Sequence, residues 1–118
     1  MIEGAILEQV FPFIANLEAE LRREFENACT LHFMEQGRQL AGSGAPSQFM
    51  TFVIAGCIKI YTLSLEGREI TLFRVKTGDC CIMSAACILS GRPFPAMAVV
   101  EETVTAVALS GAAFLEFF

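Results

Sequence analysis

The 118-residue sequence predicts a mainly β fold: an antiparallel β-roll, or double-stranded β-helix of the jelly-roll kind, with helices at its ends. Three observations predict it. Between Cys29 and Leu109, short runs rich in β-branched and aromatic residues alternate with glycine punctuation, as half-buried strands joined by tight turns do. Before residue 29 the pattern is different, with Leu17, Leu21 and Phe25 recurring at a helical spacing of four. An apolar fraction of 54% against a charged fraction of 18% supplies one sizeable core, in a chain too short for two.

Residues 1–28 are expected to form the amino-terminal helices. A short piece, Ile6 to Phe11, precedes Pro12, which suits a turn or a first helical position. Asn16 is placed to cap the longer helix, and Glu18 and Arg22 form an i,i+4 pair on its outer side. Residues 29–109 form the roll, with strands expected at Thr30–Met34, Arg38–Ala41, Phe49–Ile54, Cys57–Leu63, Glu69–Val75, Met97–Val100 and Val104–Leu109. The breaks fall at Gly37, Gly42 to Pro46, Gly56, Glu66-Gly67, Gly78-Asp79 and Glu101-Glu102. Glu66-Gly67 reads as a hairpin, because glycine supplies the positive φ that such a turn needs. A short helix is expected at 83–89, opened by Met83 or Ser84 and closed by Gly91. Residues 110–118 read as the start of a last helix, capped by Ser110, whose apolar stripe Phe114 to Phe118 wants a partner. The whole chain is expected to be a single domain.

Charge and cysteine usage exclude several functions. The net charge is −5, and the basic residues are scattered, Arg22-Arg23 being the one adjacent pair and standing among glutamates. Nucleic-acid binders concentrate positive charge on one face, so this chain by itself is not expected to hold DNA. The longest uncharged apolar run, Cys80 to Leu89, is half the ~20 residues of a membrane span, and the amino terminus has no basic segment of a secretory signal. The expected location is the cytoplasm, with no membrane partner. There Cys29, Cys57, Cys80, Cys81 and Cys87, an odd number without a framework spacing, are expected as thiols.

Three stretches resemble one family. Gly37-Arg38-Gln39-Leu40, then Gly44, then Phe52-Val53-Ile54-Ala55-Gly56 resemble its paired early strands; Ile58-Lys59-Ile60-Tyr61 through Gly67-Arg68-Glu69-Ile70-Thr71-Leu72 resembles its hairpin; Gly78-Asp79 resembles the turn that opens its ligand pocket. The ordered set resembles the amino-terminal, cyclic-nucleotide-binding-like effector domain of Crp/Fnr-type transcription regulators, over about Ile6 to Phe118. What the resemblance implies is a sensing module that works as a homodimer and reaches DNA only through a helix-turn-helix domain; the chain stops where the long helix leading to that domain would start. An effector would shift the short helix and the Gly67 hairpin against the carboxy-terminal helix.

The resemblance also implies a pocket at Gly78, Asp79, Ile82, Met83, Ser84, Phe94 and Pro95. In cyclic-nucleotide-binding members a Gly-Glu pair holds the ribose and an Arg-Ser or Arg-Thr pair clamps the cyclic phosphate. Those positions fall on Ile82-Met83 and Phe94-Pro95 here, so cyclic AMP is not expected to bind in the usual way. Arg92, two residues early, is the one candidate substitute. Packing by Phe49, Phe52, Phe73 and Met97 would leave a ligand no room. The effector and any cofactor stay unknown. An alternative is redox, haem or metal sensing through Cys80, Cys81 and Cys87. Iron–sulfur sensing lacks its amino-terminal cysteines, and the haem-ligand positions fall on Ile82 and Ser84.

Two further readings compete. A filled barrel would act as an interaction and dimerisation module through the Phe114–Phe118 stripe. A cupin-like enzyme needs a histidine cluster that the single His32 does not supply, and no catalytic pair can be assembled, so no enzymatic activity and no metal site are expected. Asp79 is expected to stabilise its turn, and His32 to have a surface or hydrogen-bonded core role.

Overall fold

A computed structural model describes residues 4–42, 44 and 49–117. Expectations placed on Ser43, Ala45, Pro46 and Phe118 lie outside the described residues. The amino-terminal part comprises α1 (Gly4–Val10), a 3₁₀ turn (Pro12–Asn16) and α2 (Ala19–Ala28). Five strands follow: β1 (Cys29–Met34), β2 (Gln39–Ala41), β3 (Phe49–Leu63), β4 (Glu69–Lys76) and β5 (Met97–Ser110). Helix α3 (Ile82–Ser90) links β4 to β5, and α4 (Gly111–Phe117) closes the described chain.

The strands form one antiparallel sheet in the order β1-β5-β3-β4, with β2 paired to the start of β5. Met34 of β1 and Val75 of β4, on opposite edges of that path, share one buried cluster with Ile58, Ile60 and Val100. The sheet therefore rolls over on its inner face, and among the described residues its edge strands do not pair. On the outer face, Leu7, Phe11, Ile14 and Phe25 of the amino-terminal helices cover Val107 and Leu109 of β5. Two apolar cores thus lie back to back across β5, and alternation along that strand sends Ala106 and Ala108 one way and Val107 and Leu109 the other.

Two expected breaks are continuous strand. Gly56 stands inside β3 at φ +103° and marks a bulge, where the register slips between Val53↔Ala106, Ala55↔Thr105 and Cys57↔Glu102. Glu101 and Glu102, expected as a break between strands, likewise lie inside β5. Arg74 of β4 donates two hydrogen bonds to the Glu101 carboxylate, at 2.7 and 3.3 Å, which holds that carboxyl below the usual carboxylate range. Local chemistry marks both places as turns; pairing along the full length of a partner strand overrides it.

Two helix details also differ from expectation. Asn16 ends the 3₁₀ turn, and the cap of α2 is Glu18, whose side chain makes no capping hydrogen bond. Arg22 pairs instead with Glu26 one turn later (2.8 Å) and with Glu8 of α1 (2.7 Å), which fastens α1 to α2. Of the apolar stripe, Phe25 is fully buried and Leu17 half-buried, but Leu21 is exposed. The Gly67 hairpin forms as expected, with Gly67 at φ +82° donating to the Ser64 carbonyl at 2.9 Å. Ser110 caps α4 through its hydroxyl, which accepts from the Ala113 N–H at 3.2 Å.

Candidate functional site

The turn after β4 is fastened to β3 by main-chain bonds. Gly78, at φ +90°, donates its N–H to the Val53 carbonyl (2.8 Å), and Val53 donates back to the Asp79 carbonyl (2.9 Å). The Asp79 carboxylate accepts from the Lys76 N–H at 3.1 Å, so the one aspartate stabilises the turn, as expected. Cys81 then donates to the Thr51 carbonyl at 3.1 Å and caps α3, which begins at Ile82, earlier than expected, with Ser84 inside it. Gly91 ends the helix in the left-handed conformation. These bonds hold the start of α3 against the inner face of the sheet.

Beneath α3 lies a cavity of about 330 Å³. Ala98, Ala106 and Ala108 of β5 line it, and so do Ile58, Ile60 and Val75. Small side chains on the middle strand leave the hollow that larger ones would close. Phe94, Cys81 and Ser84 line it from the α3 side, and His32, Phe49 and Thr51 from the β1 and β3 side. The imidazole Nε2 of His32 lies 2.8 Å from the Thr30 hydroxyl. No Asp, Glu, Lys or Arg lines the cavity among the described residues.

The structure brings together part of the expected pocket. Phe94 is buried and Ser84 half-buried, and both line the cavity; Phe94 is held by the Gly44 N–H, which donates to its carbonyl at 2.8 Å. Ile82 is 73% exposed and Pro95 is exposed; neither lines the cavity. Met83 packs against the inner core without lining the hollow, and Gly78 and Asp79 stay in their turn. Arg92 lines a separate hollow of about 660 Å³ beside Gly91, Ala112 and Leu115, between the end of α3 and the start of α4. Arg92 does not line the inner cavity.

The four candidate fillers do not close the space. Phe49 forms part of its wall and is 52% exposed, whereas Phe52 packs on the outer face with its ring 4.5 Å from that of Phe11. Phe73 packs against the inner core, and Met97 pairs with Tyr61 away from the hollow. His32, Thr51 and the three alanines were not expected at the site. A signal for His32 existed: it stands two residues before Met34 on the same strand and so on the same face.

Cys81 and Cys87 are buried and Cys80 is half-buried. Burial pushes the Cys80 thiol up from its ordinary range, the direction opposite to that of a reactive or metal-binding thiolate. The Cys87 Sγ lies 3.7 Å from the Pro93 carbonyl. Among the described residues no three His, Cys, Asp or Glu side chains gather as a metal-holding group, so the metal reading of Cys80, Cys81 and Cys87 lacks a donor set. Burial raises the Cys57 thiol as well and the Cys29 thiol to about 11.

The family described as cyclic nucleotide-binding domain matches residues 31–118. The chain belongs to that family. Solved structures agree on this fold for the cyclic nucleotide-binding domain. The sensor domain of the transcriptional regulator DNR from Pseudomonas aeruginosa is similar at 22% identity and TM-score 0.79, over 95% of this chain and 76% of that one. The amino-terminal domain of a transcriptional regulator from Streptomyces coelicolor is similar at 22% identity and TM-score 0.70, over 89% and 74%. The regulatory subunit of a cAMP-independent protein kinase A from Trypanosoma brucei is similar at 17% identity and TM-score 0.72, over 89% of this chain and 38% of that one. The chain therefore spans about two fifths of the regulatory subunit's length. No curated protein matches the sequence.

Proposed function

We propose that this cyclic nucleotide-binding domain is the effector-sensing part of a Crp/Fnr-type transcription regulator, and that its effector is a small molecule other than a cyclic nucleotide. One observation carries the reading: Phe94, at the position where the family's phosphate-clamping arginine is expected, is 4% exposed and lines a cavity without a charged side chain. A cyclic phosphate placed there would give up part of its hydration without meeting a lysine or arginine, a cost of several kcal/mol. The fold supports a regulatory role, and the domain matches two regulators' sensor or amino-terminal domains over most of its length. Dimerisation, DNA contact through a separate domain and a cytoplasmic setting belong to the same proposal.

A thermal-shift series with cyclic AMP, cyclic GMP, haem and 2-oxo acids tests it. The expected outcome is no change in Tm up to ~1 mM of either cyclic nucleotide. A saturable rise with cyclic AMP at micromolar concentration would overturn the reading, because stabilisation grows as ligand exceeds Kd.

A further inference from the structure

Polar side chains in the wall of the inner cavity are not scattered. In the register, His32 of β1 lies opposite Ala106 of β5, and Thr51 of β3 opposite Ala108. β5 runs between β1 and β3, so the two alanines form a low floor with an imidazole on one flank and a hydroxyl on the other. Two strand spacings, roughly 10 Å, separate the flanking backbones. Ser84 of α3 adds a second hydroxyl to the same cavity. The serine and threonine hydroxyls each both donate and accept, and His32, an exposed residue whose Nε2 is taken by the Thr30 hydroxyl, keeps Nδ1 for one further bond. The rest of the wall is apolar, including the rings of Phe49 and Phe94.

From this we infer that the notch between His32 and Thr51, floored by Ala106 and Ala108, receives the hydroxyl of a compact, uncharged apolar molecule whose body fills the space under Phe94. A hydroxyl matches flanks that can give and take a hydrogen bond, whereas a carboxylate or phosphate would meet no lysine or arginine there. The hollow opens beside the exposed His32 and Phe49, so its volume sets the scale of the seated part only: at ~30 Å³ per water-sized unit, 330 Å³ takes about ten or eleven non-hydrogen atoms, a single ring with a short chain. The inference rests on the proposed effector-binding role of the cavity and adds the chemical class of the ligand.

Calorimetric titration of the domain with 4-propylphenol and with propylbenzene, its counterpart without the hydroxyl, tests the class. The phenol is expected to bind about fivefold more tightly, the gain of one net hydrogen bond in a partly dry site. In His32→Leu/Thr51→Val the advantage should shrink to within about twofold, while propylbenzene affinity is kept. Ala106→Leu, checked for folding by circular dichroism, should abolish binding of both. Equal affinities in the wild type, or an advantage that survives the double variant, would overturn the hydroxyl notch and leave the apolar effector cavity standing. Failure of both probes together with tight binding of cyclic AMP would overturn the notch and the proposed function alike.

Discussion

Phe94 and Gly56 show how single positions set the site and the frame around it. Phe94 occupies with a ring the place where the family resemblance expects a charged clamp, and its burial helps keep the inner cavity apolar. Gly56 makes the roll possible. Its φ of +103° lies where a side chain is strained, and a Cβ added there would run into the main-chain carbonyl of Thr103 on β5. Backbone cannot step aside as a flexible side chain can. Gly56→Ala is therefore expected to cost about 3 kcal/mol or more and to lower Tm by roughly 10 °C. Gly67→Ala, also at positive φ (+82°) but facing open space, is expected to cost only about 1 kcal/mol. Urea unfolding of the two variants side by side checks the ordering; equal losses would contradict the close approach at Gly56.

At the scale of elements, helices carried by the outer face hold the site's far side in place. Phe25 of α2 is fully buried, and its ring meets those of Phe11, Phe13 and Phe117 edge-on at centroid distances of 5.0, 5.5 and 5.1 Å. One side chain so ties α2 to the 3₁₀ turn and to α4. Phe25→Ala should destabilise by about 3–5 kcal/mol, the usual cost of removing a buried ring, measured by denaturant unfolding. A loss under about 1 kcal/mol would mean that the helices dock loosely. Much of this level was legible in the sequence. Runs of β-branched and aromatic residues at 30–34, 58–62 and 69–75 and the glycines at 67, 78 and 91 marked strands and turns that the structure contains. The continuity of β3 through Gly56 and of β5 through Glu101-Glu102 was not, because a bulge and a carboxylate inside a strand depend on a partner strand and on Arg74, which lie far away in sequence. The same limit applied to the site. The family resemblance pointed to Phe94, which does line the hollow, but the hollow itself comes from Ala98, Ala106 and Ala108 facing a common space, and small residues announce nothing on their own.

As a whole, the molecule is a sheet with a different task on each face. Its outer face is closed by aromatic packing under α1, α2 and α4, and its inner face, rolled so that β1 and β4 share a core, keeps an apolar space below α3. The main-chain bonds from Gly78, Val53 and Cys81 fix the start of α3 over that space, and the end of α3 faces the start of α4 across the Arg92 hollow. An occupant of the cavity would press on α3 directly, and the carboxy-terminal helix lies next in line. The proposed role needs an inner space that is open and mainly apolar. A crystal of the domain held under xenon gas tests it most directly, since xenon enters apolar voids and shuns polar ones. Xenon density between Phe94 and the alanines of β5 is the predicted result; the contradicting one is a void closed by side chains, or filled with ordered water bridging charged groups.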